Sequence, residues 1–304
     1  MKKSNAIYPA LAAAAVMLAA CTKAPASPNA ADPAASIPPG DSEHLVTVEG
    51  TERTYLLHIP KGVQEGEPLP LIVVYHGQFW DANFTMQTTG FNDIADADGF
   101  LVAYPNGTGT NPANLSFNAG LCCGNAAEQN VDEQAFLREI LSDAGNVARI
   151  DPQRVYLAGW DIGAFLAFRL ACEMSGTLAG IATVNGALEY SPCLPEQPVS
   201  IIHFHGTNDR LMPYEGGIRM FGTADLILPP ARDVVGAWAG RNGCSLEVEE
   251  RQEGLITSLF YTGCLAGIAV EIHILEGQPH SWPSQYVVPV SRMIWDFFAA
   301  HPKS

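Results

Sequence analysis

Residues 151–174, DPQRVYLAGWDIGAFLAFRLACEM, decide the fold. RVYLAG has the apolar, β-rich composition of a buried strand, and AFLAFRLACEM reads as a helix behind it. Between them GWDIG, residues 159–163, leaves only a few residues for the reversal. Glycines at 159 and 163 let a strand turn abruptly into a helix, which is the outline of a nucleophile elbow, G-x-S-x-G. The middle residue of that outline is serine, and here it is Asp161. An elbow residue commonly sits at positive φ, which aspartate tolerates better than most residues. The stretch therefore predicts an elbow in shape, with a carboxylate in place of the hydroxyl.

The flanking sequence supports the same architecture. HLVTVEG and RTYLLHIP look like an opening antiparallel hairpin. PLIVVYHG and GFLVAYPNG are continuous apolar runs, as expected of strands covered on both faces. NVDEQAFLREILSDAGNVA has helical spacing, with acidic residues at its start where the helix dipole favours them. GIATVNGAL and VSIIHFHGTND follow as strands, ARDVVGAWAGRNGC as a helix, ITSLFYTGC and AVEIHILEG as strands, and SRMIWDFFAAHP as a closing helix. This alternation predicts an α/β fold with a mostly parallel central sheet and helices on both faces.

The first 43 residues read differently. MKK precedes the apolar run AIYPALAAAAVMLAA, and the run ends in LAAC, Leu18 to Cys21. The pattern resembles a bacterial lipoprotein signal peptide over residues 1–21, with Cys21 as the lipidated residue and membrane anchor. Residues 22–43 are rich in proline and alanine and are expected to form a flexible tether. Residues 44–304 are expected to form one domain. The expected location is extracytoplasmic, in the bacterial cell envelope or at the cell surface.

Apolar residues make up 47% of the chain, which suits a sizeable core. Acidic residues outnumber basic ones 32 to 16, so nucleic acid and an anionic membrane surface are poor partners. Setting Cys21 aside, six cysteines remain, an even number that suggests disulfides in an exported chain. Cys244 and Cys264 flank a strand-like run and are the favoured pair. Cys122 and Cys123 are expected to bond distant partners rather than each other. No cysteine or histidine pair has zinc-ligand spacing, so no metal site is expected.

The elbow's partners should follow in the order acid, then histidine. Asp209 follows the strand VSIIHFHG, and His280 follows AVEIHILEG. Carboxyl ends of parallel strands converge on one crevice, so Asp161, Asp209 and His280 are the candidate catalytic residues. VVYHG ends at His76-Gly77, which makes the amides of Gln78 and Ile162 the candidate oxyanion hole. Taken singly each signal is weak: Asp209 also suits a turn, and His280 could pack on Trp282. Phe79, Trp80, Trp160, Tyr214 and Trp282 are candidates to line a substrate pocket. Trp238 and Trp295 fall on amphipathic helices and read as core.

With these motifs assembled, the chain resembles the secreted α/β-hydrolase family that includes poly(3-hydroxybutyrate) depolymerases and feruloyl or acetylxylan esterases. The likeness runs from about residue 45 to about residue 302. It is carried by PLPLIVVYHG, TGFNDIADADGFLVAYPNG, NAGLCCGNAAEQNVDEQAFLREI, DPQRVYLAGWDIGAFLAFRLACEM, HFHGTNDRLMPYEGG, WAGRNGC and PHSWP. The resemblance implies an α/β-hydrolase fold and a cofactor-free carboxylic-ester hydrolase. Its ligand would be a polyester, a polysaccharide-linked ester or a phenolic ester. It also implies a serine nucleophile at position 161, an orienting acid at Asp209 and a base at His280. The chain departs from the family at Asp161, at Gln78-Phe79-Trp80 after His-Gly, and at Ala164 and EGQP, where the family carries glycines.

An aspartate changes the chemistry. A carboxylate attacks an acyl carbon poorly, because the adduct expels carboxylate and reverts. At an sp³ carbon it can instead form an enzyme-bound ester that water then cleaves, so an alkyl halide or epoxide substrate is one alternative. Asp161 acting as general base is another, although two carboxylates beside His280 should raise its pKa. A retained fold that binds ligand without turnover is the remaining reading.

Overall fold

A computed structural model describes residues 1, 37–111, 113–221, 224–245, 247–265 and 267–303. The signal-peptide reading, Cys21 and most of the 22–43 stretch lie outside the described residues. No described helix is long and apolar enough to cross a membrane.

From residue 37 onward the chain alternates strands and helices. It runs β1 (Gly40–Val48), β2 (Thr51–Ile59), β3 (Leu69–Tyr75), α1 (Ala82–Thr89), α2 (Phe91–Asp98), β4 (Leu101–Pro105), α3 (Gly124–Glu128), α4 (Glu133–Val147), β5 (Ile150–Trp160) and α5 (Ile162–Glu173). It continues with β6 (Gly180–Val184), β7 (Ser200–Gly206), β8 (Gly217–Phe221), β9 (Ala224–Leu228), α6 (Ala231–Arg241), β10 (Val248–Glu253), β11 (Ile256–Tyr261), β12 (Val270–Leu275) and α7 (Val290–Ala300). Strand β1 begins at Gly40, inside the stretch read from sequence as tether.

Ten strands form one sheet in the order β1-β2-β4-β3-β5-β6-β7-β12-β11-β10. Its centre, from β4 to β12, is parallel, and antiparallel strands flank it on both sides. The central strands are apolar throughout because each face meets helices. Leu71, Val73 and Tyr75 of β3 join one core with Phe136 of α4, Phe168 of α5 and Trp238 of α6. Ile72 and Val74, on the opposite face, join a second core with Phe91 of α2 and Trp295 and Phe298 of α7. The strand period of two thus divides one hydrophobic run between two layers.

The expected start of α4 is seen in detail. Asp132 caps the helix, its carboxylate accepting from the Ala135 amide. Next to it Glu133 is buried and pairs with Arg53 at 3.4 Å. Burial pushes the Glu133 carboxyl up, against the pull of Arg53.

Two disulfides join Cys172 to Cys193 and Cys244 to Cys264. The expectation that Cys122 and Cys123 seek distant partners is overturned: they are bonded to each other. The other free candidates, Cys172 and Cys193, are already consumed by their own bond. The β8–β9 hairpin, not read from sequence, stands outside the main sheet. Its paired Ile218 and Ile227 are both exposed, while Leu228 is buried in the core and Leu226 packs against it.

Phe168 ties the elbow helix to the sheet and to α6, with its ring 6.4 Å from both His203 and Trp238. Replacing it with alanine should cost about 3–5 kcal/mol. Urea unfolding of Phe168→Ala beside the parent measures this.

Candidate active site

The elbow forms as its glycines require. A Cβ on Gly159 would lie 2.2 Å from the Gly163 carbonyl oxygen, and one on Gly163 would lie 2.5 Å from that of Tyr75. The strand, the helix and the end of β3 therefore touch backbone to backbone. Asp161 sits between them at φ 57° and ψ −120°, the strained conformation expected of an elbow residue.

Strand ends bring the other groups to this point. Asp209 follows β7 and is buried. One of its oxygens accepts from the amides of Leu211 and Met212, at 2.8 and 2.7 Å. Its other oxygen lies 2.7 Å from His280 Nδ1, so that ring nitrogen carries a proton. His280 Nε2 then faces Asp161 Oδ1 at 3.6 Å, an ion pair rather than a hydrogen bond. Burial opposes charge on His280, but the carboxylates of Asp161 and Asp209 together override it and hold the imidazole up at about 9.

The Gln78 amide, expected from sequence to line an oxyanion hole, is already bonded by the protein itself. The Gln78 amide donates to Asp161 Oδ2 at 2.9 Å. The two oxygens of one carboxylate thus take different places. Oδ2 occupies the amide slot, while Oδ1 is buried beside His280 without a hydrogen-bond donor. Ile162, source of the second expected amide, opens helix α5 directly behind.

The five aromatic candidates fall into two groups. A Cβ on Gly77 would meet Trp160, Trp80 and the Asp161 Cβ within 3.2 Å, so these side chains crowd one spot. The Trp160 ring lies 5.6 Å from His280 and 6.0 Å from Trp80, which stacks on Phe84. The Trp160 indole N–H is buried with no acceptor among the described residues. Phe79, at φ 68°, is 57% exposed, and Trp80 is 38% exposed. Tyr214 instead sits edge-on to His205, behind Asp209. Trp282 is buried edge-on to Phe91 and donates its indole proton to Ser291, so it serves the layer of α2 and α7.

Sequence reading missed the groups that hold this arrangement. Asn185 follows β6 at φ 47°. Its side-chain Oδ1 accepts from the Gly206 amide, and its Nδ2 donates to the carbonyls of Pro279 and Ser281 on either side of His280. One side chain therefore joins the ends of β6 and β7 to the histidine loop. The strand-end dipeptide Asn185-Gly186 was the available signal. His205 gives its Nε2 proton to the Met212 carbonyl at 2.6 Å, and its Nδ1 lies 3.0 Å from His203 Nε2. Burial keeps both histidines from protonating, so no second cation competes for Asp209. His76 is likewise lowered to about 4 by burial, and its Nε2 accepts from the Gly107 amide.

Comparison with known proteins agrees with this architecture. Residues 53–190 match the family described as Esterase PHB depolymerase. Feruloyl esterase B of Piromyces equi is 25% identical over 251 residues, covering 81% of this chain and 44% of that protein. Feruloyl esterase D of Neurospora crassa is 26% identical over 266 residues, covering 83% of each. The chain spans about half the length or less of the first three curated relatives it matches. The solved acetyl xylan esterase from Aspergillus awamori has a TM-score of 0.57 at 14% identity, covering 85% of this chain and 99% of that one, which shows a shared fold.

His280 binds its proton more tightly in the folded chain than in an unfolded one. Its stabilising contribution is full below about pH 6.5 and is lost as pH rises through about 9. The gap in urea midpoint between the parent and His280→Gln should therefore be wide at pH 6 and narrow by pH 10.

Proposed function

We propose that this chain, which has an α/β-hydrolase fold and is similar to PHB depolymerases and feruloyl esterases, is an extracytoplasmic, lipid-anchored protein that binds ester-bearing ligands without serine-type acyl transfer. One observation carries this reading: Asp161 Oδ2 lies on the Gln78 amide, where a substrate oxyanion would have to form. A fixed negative charge there opposes the developing charge of a tetrahedral intermediate. His280, held near 9, keeps its proton at neutral pH and has no lone pair to offer as a base. The family's ligands set the expected class: a polyester, a polysaccharide-linked ester or a phenolic ester. The exposed rings of Phe79 and Trp80 offer stacking faces for such a ligand. The LAAC motif ending at Cys21 and the proline-rich stretch after it support anchorage to the cell envelope.

A second reading draws on Asp161 Oδ1, which has no donor. Attack by Oδ1 on an sp³ carbon, with departure of a halide or epoxide oxygen, forms an Asp161 ester and neutralises that carboxylate. His280 then loses one anionic neighbour, gives its Nε2 proton to the departing epoxide oxygen or, with a halide, to solvent, and can take a proton from water. Water attacks the ester carbonyl, the Gln78 amide receives the oxyanion on Oδ2, and the alcohol leaves. The unpaired Trp160 N–H is the available donor for a leaving group.

Assay of the chain lacking residues 1–21 on short aryl esters, with Asp161→Ser beside it, tests the first reading. The parent should turn over little at the elbow, and the variant should gain about 100-fold or more, with its hole open and its base restored. Strong parent turnover that is lost in His280→Ala would contradict the reading. Reaction with alkyl halides in heavy-oxygen water tests the second: label in the Asp161 peptide supports the covalent ester, and unlabelled peptide with alcohol released excludes it.

A further inference from the structure

A second Ser–His–Asp arrangement lies away from the elbow, on strand β1, which is at one edge of the sheet. Ser42 and His44 are two residues apart and so project from the same face of the strand. Ser42 Oγ is 2.9 Å from His44 Nε2. His44 Nδ1 is 2.6 Å from Asp143 Oδ2, contributed by helix α4. Tyr55, paired with His44 across the β1–β2 ladder, donates its hydroxyl to that same Oδ2 at 2.7 Å. The Tyr55 and His44 rings lie 4.9 Å apart.

A carboxylate only accepts, so Nδ1 of His44 carries a proton. In the neutral ring Nε2 then presents its lone pair to the Ser42 hydroxyl. Nucleophile, base and orienting acid stand in hydrogen-bond sequence, which defines an activated hydroxyl whatever the fold around it. Tyr55 holds the acid and flanks the ring, so the imidazole is fixed from two sides. Ser42 is exposed. Among the described residues strand β1 lies at the sheet edge and pairs with β2 alone.

We propose that Ser42 is an acyl-accepting nucleophile for small activated esters. The Ser42 oxygen bonds to the ester carbonyl carbon while its proton passes to His44 Nε2. The carbon–oxygen bond to the leaving phenol breaks, and that phenolate takes the proton. Acyl-Ser42 remains, and water hydrolyses it slowly. The site stands at the surface, so it selects by leaving group rather than by shape. It depends on no property of Asp161.

The test uses the whole chain with p-nitrophenyl acetate and measures acetylation peptide by peptide. Ser245 and Ser284 are exposed references whose hydroxyls accept backbone amides. Ser42 should acetylate about 100-fold faster than either, and His44→Ala should remove that advantage while leaving the thermal midpoint near the parent's. His44→Gln, which keeps a polar side chain but no base, should behave like His44→Ala. Acetylation of Ser42 no faster than at the reference serines, or an unchanged rate in both His44 variants, overturns the proposal. Because the readout is the Ser42 peptide itself, its result is separate from the fate of the elbow reading.

Discussion

The hydrogen bond from the Gln78 amide to Asp161 Oδ2 is the contact on which the site depends. It fixes where the elbow charge sits, and the other groups respond to that placement. With Oδ2 anchored, Oδ1 is turned to His280, and the histidine is caught between two carboxylates. Two buried anions on one imidazole are tolerable only if the imidazole is charged, because unpaired buried charge is costly. The protonated form is therefore part of the resting structure. A serine at the same position would leave the slot vacant and the histidine with one carboxylate.

The scaffold gives this ion set little freedom. Backbone contact at Gly159 and Gly163 fixes the elbow, and Asn185 bonds the loop on both sides of His280 to the ends of β6 and β7. His205 braces the Asp209 loop through the Met212 carbonyl and remains neutral. These supports would orient a working triad equally well. What differs is the group at the centre: a carboxylate whose own oxygen accepts from the amide that the sequence reading assigned to a substrate oxyanion.

The fold was legible because its signals are long and repeated. Apolar strand runs, the helical period of α4 and α7 and the tight glycine spacing at 159–163 all agree. The convergence of Asp161, Asp209 and His280 was legible too, since carboxyl ends of parallel strands meet. The occupant of the amide slot was not, because it depends on which way the Asp161 side chain turns. Trp282 misled for a related reason: it lies two residues from His280, yet its ring turns into the α2–α7 layer and bonds Ser291. The Cys122–Cys123 bond was hidden because six cysteines allow fifteen pairings and spacing does not choose among them. Asn185 falls inside the run GIATVNGAL, read as a strand, and its role rests on backbone partners at the end of β7 and on either side of His280.

The most direct measurement of the account is the titration of the His280 imidazole by NMR, with the ring assigned by comparison to His280→Gln. The structure predicts a midpoint near 9, with the proton on Nε2 retained throughout the neutral range. A midpoint at or below about 6.5, the ordinary value for histidine, would mean that Asp161 does not share its charge with His280. The closed carboxylate–imidazolium–carboxylate site would then be the wrong description of this elbow.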